Sequence, residues 1–392
     1  MTMNSEKQIN LAFLSTYPPR ECGLATFTQD LVLQLVRIPA TARTRVIAVC
    51  NAKMPQDHRV MMELDQHDRK SYSSVAQKIN HSDIDLLVIE HEYGIFGGDS
   101  GEYILDLIRL LTVPFVTTLH TVLGSPLKKQ RQILSEIADK SERIITMAQN
   151  TVAILVNEYG IDPLKIEVIH HGVPKMPMKT RETLKMESGF AGRPVISTFG
   201  LLGPGKGLEY GIEAIAQIAQ KHKDVIYLIL GQTHPAIVKE SGEAYRLQLE
   251  SLVRDLGLAD NVRFVNKYLT KEEIVKNLTM SDIYMTPYLG KDQAVSGTLA
   301  YAAGYGRVII STPYMYAKEM LSGGRGLLAE FRDAASLAKQ IDYVLCHPDE
   351  KARMEDKTLA IGQTMMWHVV AEKYVKLFAD ILMQQDRDQV TA

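Results

Sequence analysis

A lysine set among glycines, at the mouth of an amphipathic segment, is the strongest chemical feature of this chain. The apolar run Val195, Ile196, Ser197, Thr198, Phe199 leads into a loop holding Gly200, Gly203, Gly205, Lys206 and Gly207. Leu208, Ile212, Ile215 and Ala219 then recur at helical spacing. Such a loop leaves backbone N–H groups and one long cation directed at a common point where a helix begins, which suits a phosphate. The plainer alternative is a glycine-rich turn with a surface lysine. A triphosphatase loop is excluded, because Gly207 follows Lys206 and no Ser or Thr is placed to hold magnesium.

Other residues have chemistry to offer. Gly23 follows the first apolar run, where a missing side chain lets backbone N–H groups approach an anion; an ordinary strand-to-helix turn is the competing reading. His120 closes a second apolar run, and a lone histidine there is commonly structural. Residues 91–98 (His91, Glu92, Tyr93, Gly94, Ile95, Phe96, Gly97, Gly98) form a polar, aromatic, glycine-rich loop after another run. Loops at strand ends carry ligand contacts, so Glu92, Tyr93, Gly94 and Phe96 are candidates for binding a ligand, the aromatic rings offering faces on which it could stack. A tight turn with Phe96 buried is the alternative. Ser296, Gly297 and Thr298 open a helical segment and offer amides and hydroxyls to a phosphate or sugar hydroxyl. His170 and His171 are neighbours on an extended run and point in different directions, which suits hinge packing better than a metal.

The elements that position these residues alternate. Strand-like runs at 9–15, 46–50, 84–90, 114–119, 144–147 and 166–169 are separated by helical patterns such as 103–111 and 151–159. After a Pro- and Gly-rich stretch at 171–194, read as an interdomain connection, alternation resumes with strands at 195–199, 225–230, 262–265, 283–287 and 308–311. Helices are predicted at 207–220, 244–256, 271–278, 298–303, 335–345 and 367–382. Alternating strands and helices imply parallel sheets covered on both faces. The expectation is an α/β chain of two doubly wound Rossmann-like domains, at 1–175 and 190–360, with strand carboxyl ends facing one central cleft.

Bulk properties bound the function. At 392 residues the chain has room for two domains, and 46% apolar with 23% charged residues is a globular composition. A net charge of −2 gives no footprint for nucleic acid. No apolar run approaches the roughly 20 residues needed to span a bilayer, and residues 1–10 lack a signal-peptide core. Three scattered cysteines, Cys22, Cys50 and Cys346, make neither a disulfide framework nor a zinc site. These features point to the cytoplasm. The basic cluster Lys128, Lys129, Arg131 leaves peripheral contact with anionic lipid open, against the commoner solvated helix face.

Along nearly its whole length the chain resembles the family 4 retaining glycosyltransferases of GT-B architecture. The likeness rests on the loop from Pro18 to Phe27, on Thr118-Leu119-His120-Thr121 and Val168-Ile169-His170-His171-Gly172-Val173, and on the Gly205-Lys206-Gly207 loop. It extends to the block from Asp282 to Pro287 and to Trp367-His368-Val369-Val370-Ala371-Glu372-Lys373-Tyr374. The resemblance implies transfer of a hexose from a nucleotide-sugar donor to a hydroxyl acceptor, with no metal and no cofactor beyond the donor. It implies that the leaving phosphate takes the acceptor proton on the same face. It places Lys206 and His120 in catalysis and Gly23, Leu24, Gly205, Ser296, Gly297 and Thr298 at the donor. On this reading the ligand of Glu92, Tyr93, Gly94 and Phe96 is the acceptor. The last helix, about 366–385, is expected to pack back on the N-terminal domain.

Two departures from the family pattern stand out. Leu201 and Leu202 occupy the stretch where an arginine usually partners the lysine. Through residues 290–304 no register yields the usual pair of glutamates eight positions apart; the nearest equivalents are Gln293 with Tyr301, or Asp292 with Ala300. A non-catalytic carbohydrate- or nucleotide-binding protein, or a sugar-nucleotide 2-epimerase using Glu21, Glu90 or Glu92, are the alternatives.

Overall fold

The structure, a computed structural model, describes residues 8–51 and 57–391, with side chains to residue 387. The N-terminal stretch read above for a targeting signal lies, for residues 1–7, outside the described residues. The chain divides into two compact units. One runs to residue 172 and resumes at 367; the other spans 173–366.

The first unit is built on a parallel sheet of β1 (Ile9–Ser15), β2 (Thr41–Cys50), β3 (Val60–Asp65), β4 (Leu86–His91), β5 (Phe115–Leu119), β6 (Arg143–Thr146) and β7 (Ile166–Val168). The spatial order is β3-β2-β1-β4-β5-β6-β7. β4 and β5 are buried at every position, including their polar residues Glu90, His91, Thr117 and Thr118. The chain moves outward from β1 through β3, then restarts on the other side of β1 with β4. The loops leaving β1 and β4 therefore lie side by side at the point where strand order reverses, the usual ligand position in such sheets.

The second unit repeats this plan with β8 (Val195–Phe199), β9 (Ile226–Leu230), β10 (Val262–Val265), β11 (Ile283–Thr286), β12 (Val308–Ser311) and β13 (Gly326–Leu328), in the order β10-β9-β8-β11-β12-β13. Here the reversal falls between β8 and β11, so the Lys206 loop and the segment from Pro287 are neighbours. The helix Leu208–Ile218 buries Leu208, Ile212, Ile215 and Ile218 against β8, β9 and β11. Each such side chain contributes on the order of 1.5–3 kcal/mol by leaving water. Ala219, expected on this face, is only partly buried.

Two expectations change. The stretch 171–194 is not a bare connection. Thr180 caps a helix, Arg181–Glu187, by accepting from the Thr183 amide at 3.2 Å, and this helix packs on Lys271–Met280 inside the second unit. Elements with weak periodicity were also missed: the edge strand β3, the strand β13, and helices at Arg69–Asn80, Pro235–Ser241 and Pro348–Gln363. The C-terminal helix Trp367–Thr391 belongs to the first unit, where it packs beside the helix Gly23–Leu35. Trp367 seals this contact: its ring lies 5.0 Å from that of Phe27, and an added Cβ at Gly172 would sit 2.0 Å from it. Among the described residues no helix is long and apolar enough to cross a membrane.

Candidate functional site

In the second unit the Lys206 loop is shaped by its glycines. Pro204–Lys206 forms a single 3-10 turn, and Gly207 ends it in the left-handed region at φ 59°. A Cβ on Gly207 would meet the Pro287 carbonyl oxygen at 2.2 Å, so the loop packs against the chain leaving β11 only because Gly207 has no side chain. The Leu289 amide, donating to the Gly205 carbonyl at 2.9 Å, fixes the same contact. Gly207→Val should therefore cost at least about 2–3 kcal/mol, since both backbone conformation and packing forbid it. Urea unfolding measures this, and an unchanged midpoint would contradict the loop geometry.

The Lys206 ammonium lies 3.9 Å from the centroid of the Tyr288 ring. Among the described residues it has no carboxylate partner. Tyr288 is itself buried, stacked on Tyr314 at 5.6 Å, and its hydroxyl lies 3.1 Å from Thr298 Oγ1. Thr298 Oγ1 is 3.2 Å from Ser296 Oγ, which caps the helix Gly297–Gly304 by accepting from the Leu299 amide at 3.3 Å. Lys206, Tyr288, Thr298 and Ser296 thus form one connected strip. The Ser296 hydroxyl is buried and engaged in capping, so what the turn offers a ligand is the amides of Gly297 and Thr298 and the half-buried Thr298 hydroxyl. Above Gly205 no atom lies within 4 Å of an added Cβ.

The two departures noted in the sequence are visible here. Leu202 is buried and pairs with Thr233 in an isolated bridge, so it supplies no charge. Tyr301 is buried beside Phe199, the ring centroids 6.3 Å apart, and the Gln293 amide donates to the Val295 carbonyl at 3.0 Å.

In the first unit the strand ends carry a buried polar group. Glu90 on β4 pairs in register with Thr118 on β5, so the residues just beyond are adjacent. His120 Nε2 lies 2.8 Å from Glu90 Oε2, and Glu90 is fully buried. Burial raises the Glu90 carboxyl well above its ordinary range and lowers the His120 imidazole to about 4. Both shifts favour the uncharged pair: a protonated Glu90 donating to Nε2, with the ring's own proton on Nδ1. The His120 ring packs edge-on to Phe27 at 4.7 Å. His91, next to Glu90, is buried with neither ring nitrogen hydrogen-bonded, and burial lowers it to about 3.

The loop after β4 corrects part of the acceptor expectation. Tyr93 is 8% exposed and Phe96 3%, so neither ring has a free face on which a sugar can stack. The loop is pinned from within: the Gly97 amide donates to Tyr72 Oη at 2.8 Å, and a Cβ on Gly97 would lie 2.1 Å from the Gln66 carbonyl oxygen. Phe96 is thereby drawn into the core. Glu92 is half-buried; it caps the turn by accepting from the Tyr93 amide at 3.0 Å and from the Thr121 hydroxyl. Gly94 stays exposed, its carbonyl accepting from Gln66 Nε2 at 3.1 Å, while Gln66 Oε1 accepts from Arg20 at 3.2 Å. Gly23 is exposed with open space above it. The Leu24 side chain is buried, so Leu24 has only its backbone to offer a donor.

Other candidates resolve simply. His170 Nδ1 lies 3.0 Å from the Met147 carbonyl and His171 Nδ1 2.7 Å from that of Gly172. Lys129 pairs with Glu102 and Arg131 with Glu158, which leaves little free charge in the basic cluster. Among the described residues one group has metal-ligand types in reach, His222, Asp342 and Cys346. The Lys221 ammonium already sits there, 2.8 Å from Asp342 and 3.2 Å from Cys346 Sγ.

Comparison with known proteins gives the family and the fold. Residues 180–359 match the family model described as "Glycosyl transferases group 1", and residues 24–175 match that described as "Glycosyltransferase Family 4". Together these take in more than four-fifths of the chain. A D-inositol 3-phosphate glycosyltransferase of Corynebacterium efficiens is 24% identical over 74% of this chain and 70% of its own length. A 2-deoxystreptamine glucosyltransferase of Streptomyces kanamyceticus is 25% identical over 50% of this chain and 52% of its own length. Among solved structures, HepE of Anabaena in complex with UDP and glucose superposes with a TM-score of 0.76 at 16% identity, covering 95% of this chain and all of that one. Sucrose-phosphate synthase of Thermosynechococcus elongatus gives 0.77 at 15% identity, covering 96% of this chain and all of that one. The fold is thus of the GT-B type, and the chain belongs to the group 1, family 4 glycosyltransferases.

Proposed function

We propose that the chain transfers a hexose from a nucleotide-sugar donor to a hydroxyl acceptor, in the cytoplasm, with retention and without a metal. The observation that carries this reading is the strip at the β8/β11 reversal: one cation lacking a carboxylate partner among the described residues, a glycine loop open above Gly205, and a helix start at Gly297. A diphosphate there gains a charge-assisted contact from Lys206 and dipolar contacts from two helix N-termini. These groups stabilise the departing nucleoside diphosphate, the task that a metal performs in other transferases. The complex of HepE with UDP and glucose supports a nucleoside diphosphate and a hexose as the ligand class. In the first unit, His120 is held by Glu90 as a neutral ring whose remaining N–H is directed away from Glu90 and suits a sugar hydroxyl. The exposed Gly94 and half-buried Glu92 are the proposed acceptor contacts, and Gly23 and the Leu24 amide the proposed donor contacts from that unit.

The missing arginine and glutamates favour one other reading, a protein that binds the donor without turning it over. Incubation of purified protein with a panel of sugar nucleotides, with nucleoside diphosphate release as the readout, separates the two. Release that increases with added acceptor and is unaffected by chelator is the expected result. An epimerised sugar nucleotide, or binding without release, would overturn the proposal. In the same assay His120→Ala should lower transfer about tenfold or more while leaving donor binding within about twofold, as expected for a contact made in the transition state. Equal loss in both would count against a role at the sugar.

A further inference from the structure

The second unit holds a cavity of about 560 Å³ that the reaction above does not use. Pro194 and Asp282 line it, and these residues immediately precede β8 and β11. It therefore lies at the amino ends of the two strands whose carboxyl ends lead to the Lys206 loop and Tyr288. Four cations line it as well: Arg181, Lys185, Arg193 and Lys351.

Their partners do not balance them. Asp282 takes Lys185 at 2.5 Å, Lys351 at 3.5 Å, Arg181 at 3.6 Å and the Val195 amide at 2.8 Å. Glu355 takes Arg181 at 2.5 Å and Lys351 at 3.1 Å. Among the described residues Arg193 is held only by backbone carbonyls, those of Asp224 at 2.7 Å and Asp260 at 3.0 Å. Arg307, in the same electrostatic neighbourhood, is likewise held only by the carbonyls of Tyr305, Ser281 and Thr279. Among the described residues, three of the four wall cations, Arg181, Lys185 and Lys351, thus share Asp282 and Glu355, and Arg193 has no carboxylate partner. Burial, and then the charge of Arg181, lower the Arg307 guanidinium to about 10, while Glu355, Asp282 and Glu182 act to raise it. The Arg181 Nε–H is also buried with no acceptor. An ion-pair cluster that served only to hold the fold would pair each cation with a carboxylate, because unmatched buried charge is costly. The remaining wall is apolar and includes Met186, Val344, Leu345 and Pro348.

We propose that this cavity binds a small organic phosphate, its anionic group set against Arg181, Lys185, Arg193 and Lys351 and its apolar body against Met186, Val344 and Leu345. The volume is within the range of ordinary small-molecule sites. No residue of the proposed transfer site takes part, so this inference and that reading fail separately.

Calorimetric titration of the full chain with phenyl phosphate tests the inference, with inorganic phosphate as the comparison. The expected result is saturable binding, about tenfold tighter for phenyl phosphate than for inorganic phosphate because the ring buries apolar area. Met186 is 66% exposed, so Met186→Glu places a carboxylate on the wall without disturbing the core or the ion pairs. That variant and Arg193→Gln should each weaken binding about fivefold or more through the changed charge, while Lys206→Ala leaves it unchanged. A thermal unfolding scan of each variant confirms that it is folded. No saturable binding, equal affinity for the two phosphates, or binding removed by Lys206→Ala and retained in Met186→Glu would overturn the inference.

Discussion

Lys206→Ala is expected to lower turnover at least tenfold, roughly 1.4 kcal/mol of transition-state stabilisation, with almost no change in the unfolding midpoint. The asymmetry follows from the surroundings of the side chain. Its ammonium touches one ring face, that of Tyr288, and has no carboxylate partner among the described residues. Truncation therefore removes a cation–π contact worth about 0.5–1 kcal/mol at a partly exposed position. Against a departing diphosphate the same cation has a charge-assisted role, and here it acts without the arginine that usually accompanies it, because Leu202 is buried in that stretch. Steady-state kinetics with a saturating acceptor measure the loss. Wild-type turnover in this variant would remove the phosphate assignment.

The second large effect is acid lability of the first unit. Burial lowers His91 to about 3, and His120 and His171 to about 4, from the ordinary value near 6.5. A histidine whose folded pKa is depressed contributes stability that is present above its unfolded pKa and is lost as pH falls toward the folded value. Glu90 acts in the opposite sense: burial raises its folded pKa, so its contribution is present below its unfolded pKa and is lost as pH rises. Around pH 5 the unfolded chain gains nearly three protons at the histidines, and the folded chain holds one more at Glu90. The net difference is about two protons, a slope on the order of 2–3 kcal/mol per pH unit. Denaturant midpoints should therefore fall steeply between pH 6.5 and 4. His91→Phe, which keeps the packing against Tyr93 and Phe96 and removes one titrating group, should flatten the slope by roughly half. A midpoint independent of pH over this range would contradict the burial of these rings as a neutral cluster.

Much of the architecture was legible because the parallel strands are short, apolar-rich runs bounded by turn residues. β8, β10 and β12 have the bounds read from sequence, and β1 likewise. What escaped has a physical reason. β3 is a half-exposed edge strand carrying Met61, Met62 and Glu63, with neither a continuous apolar run nor clean alternation. Arg181–Glu187 is a short helix stabilised by its cap and by ion pairs with Asp282 and Glu355, partners that lie about a hundred or more positions away. Local pattern carries no trace of such contacts.

The candidate site divides in the same way. Lys206 and Ser296 announced themselves through glycine spacing and helix-start chemistry, and the structure joins them through Tyr288 and Thr298. Tyr288 was overlooked because an aromatic residue after a strand reads as core. The pairing of His120 with Glu90 was also missed, although each had been noticed; the available signal was that β4 and β5 are neighbours in register, so their polar ends must meet. Tyr93 and Phe96 misled in the other direction. A polar, glycine-rich loop suggests exposed aromatics, yet Gly97 is there to let Phe96 tuck under the chain.

The claim at the centre of this account is that a nucleoside diphosphate is held at the Lys206 loop. Thermal unfolding of the wild-type chain and of Lys206→Ala, each with UDP, GDP, ADP, CDP and dTDP in turn, tests it most directly, because a ligand that binds only the folded state raises the midpoint. The account predicts that one diphosphate, at about a hundred times its dissociation constant, stabilises the wild-type chain by roughly 2–3 kcal/mol and the variant by clearly less. A wild-type midpoint unmoved by every diphosphate, or an equal rise in the variant, would contradict it.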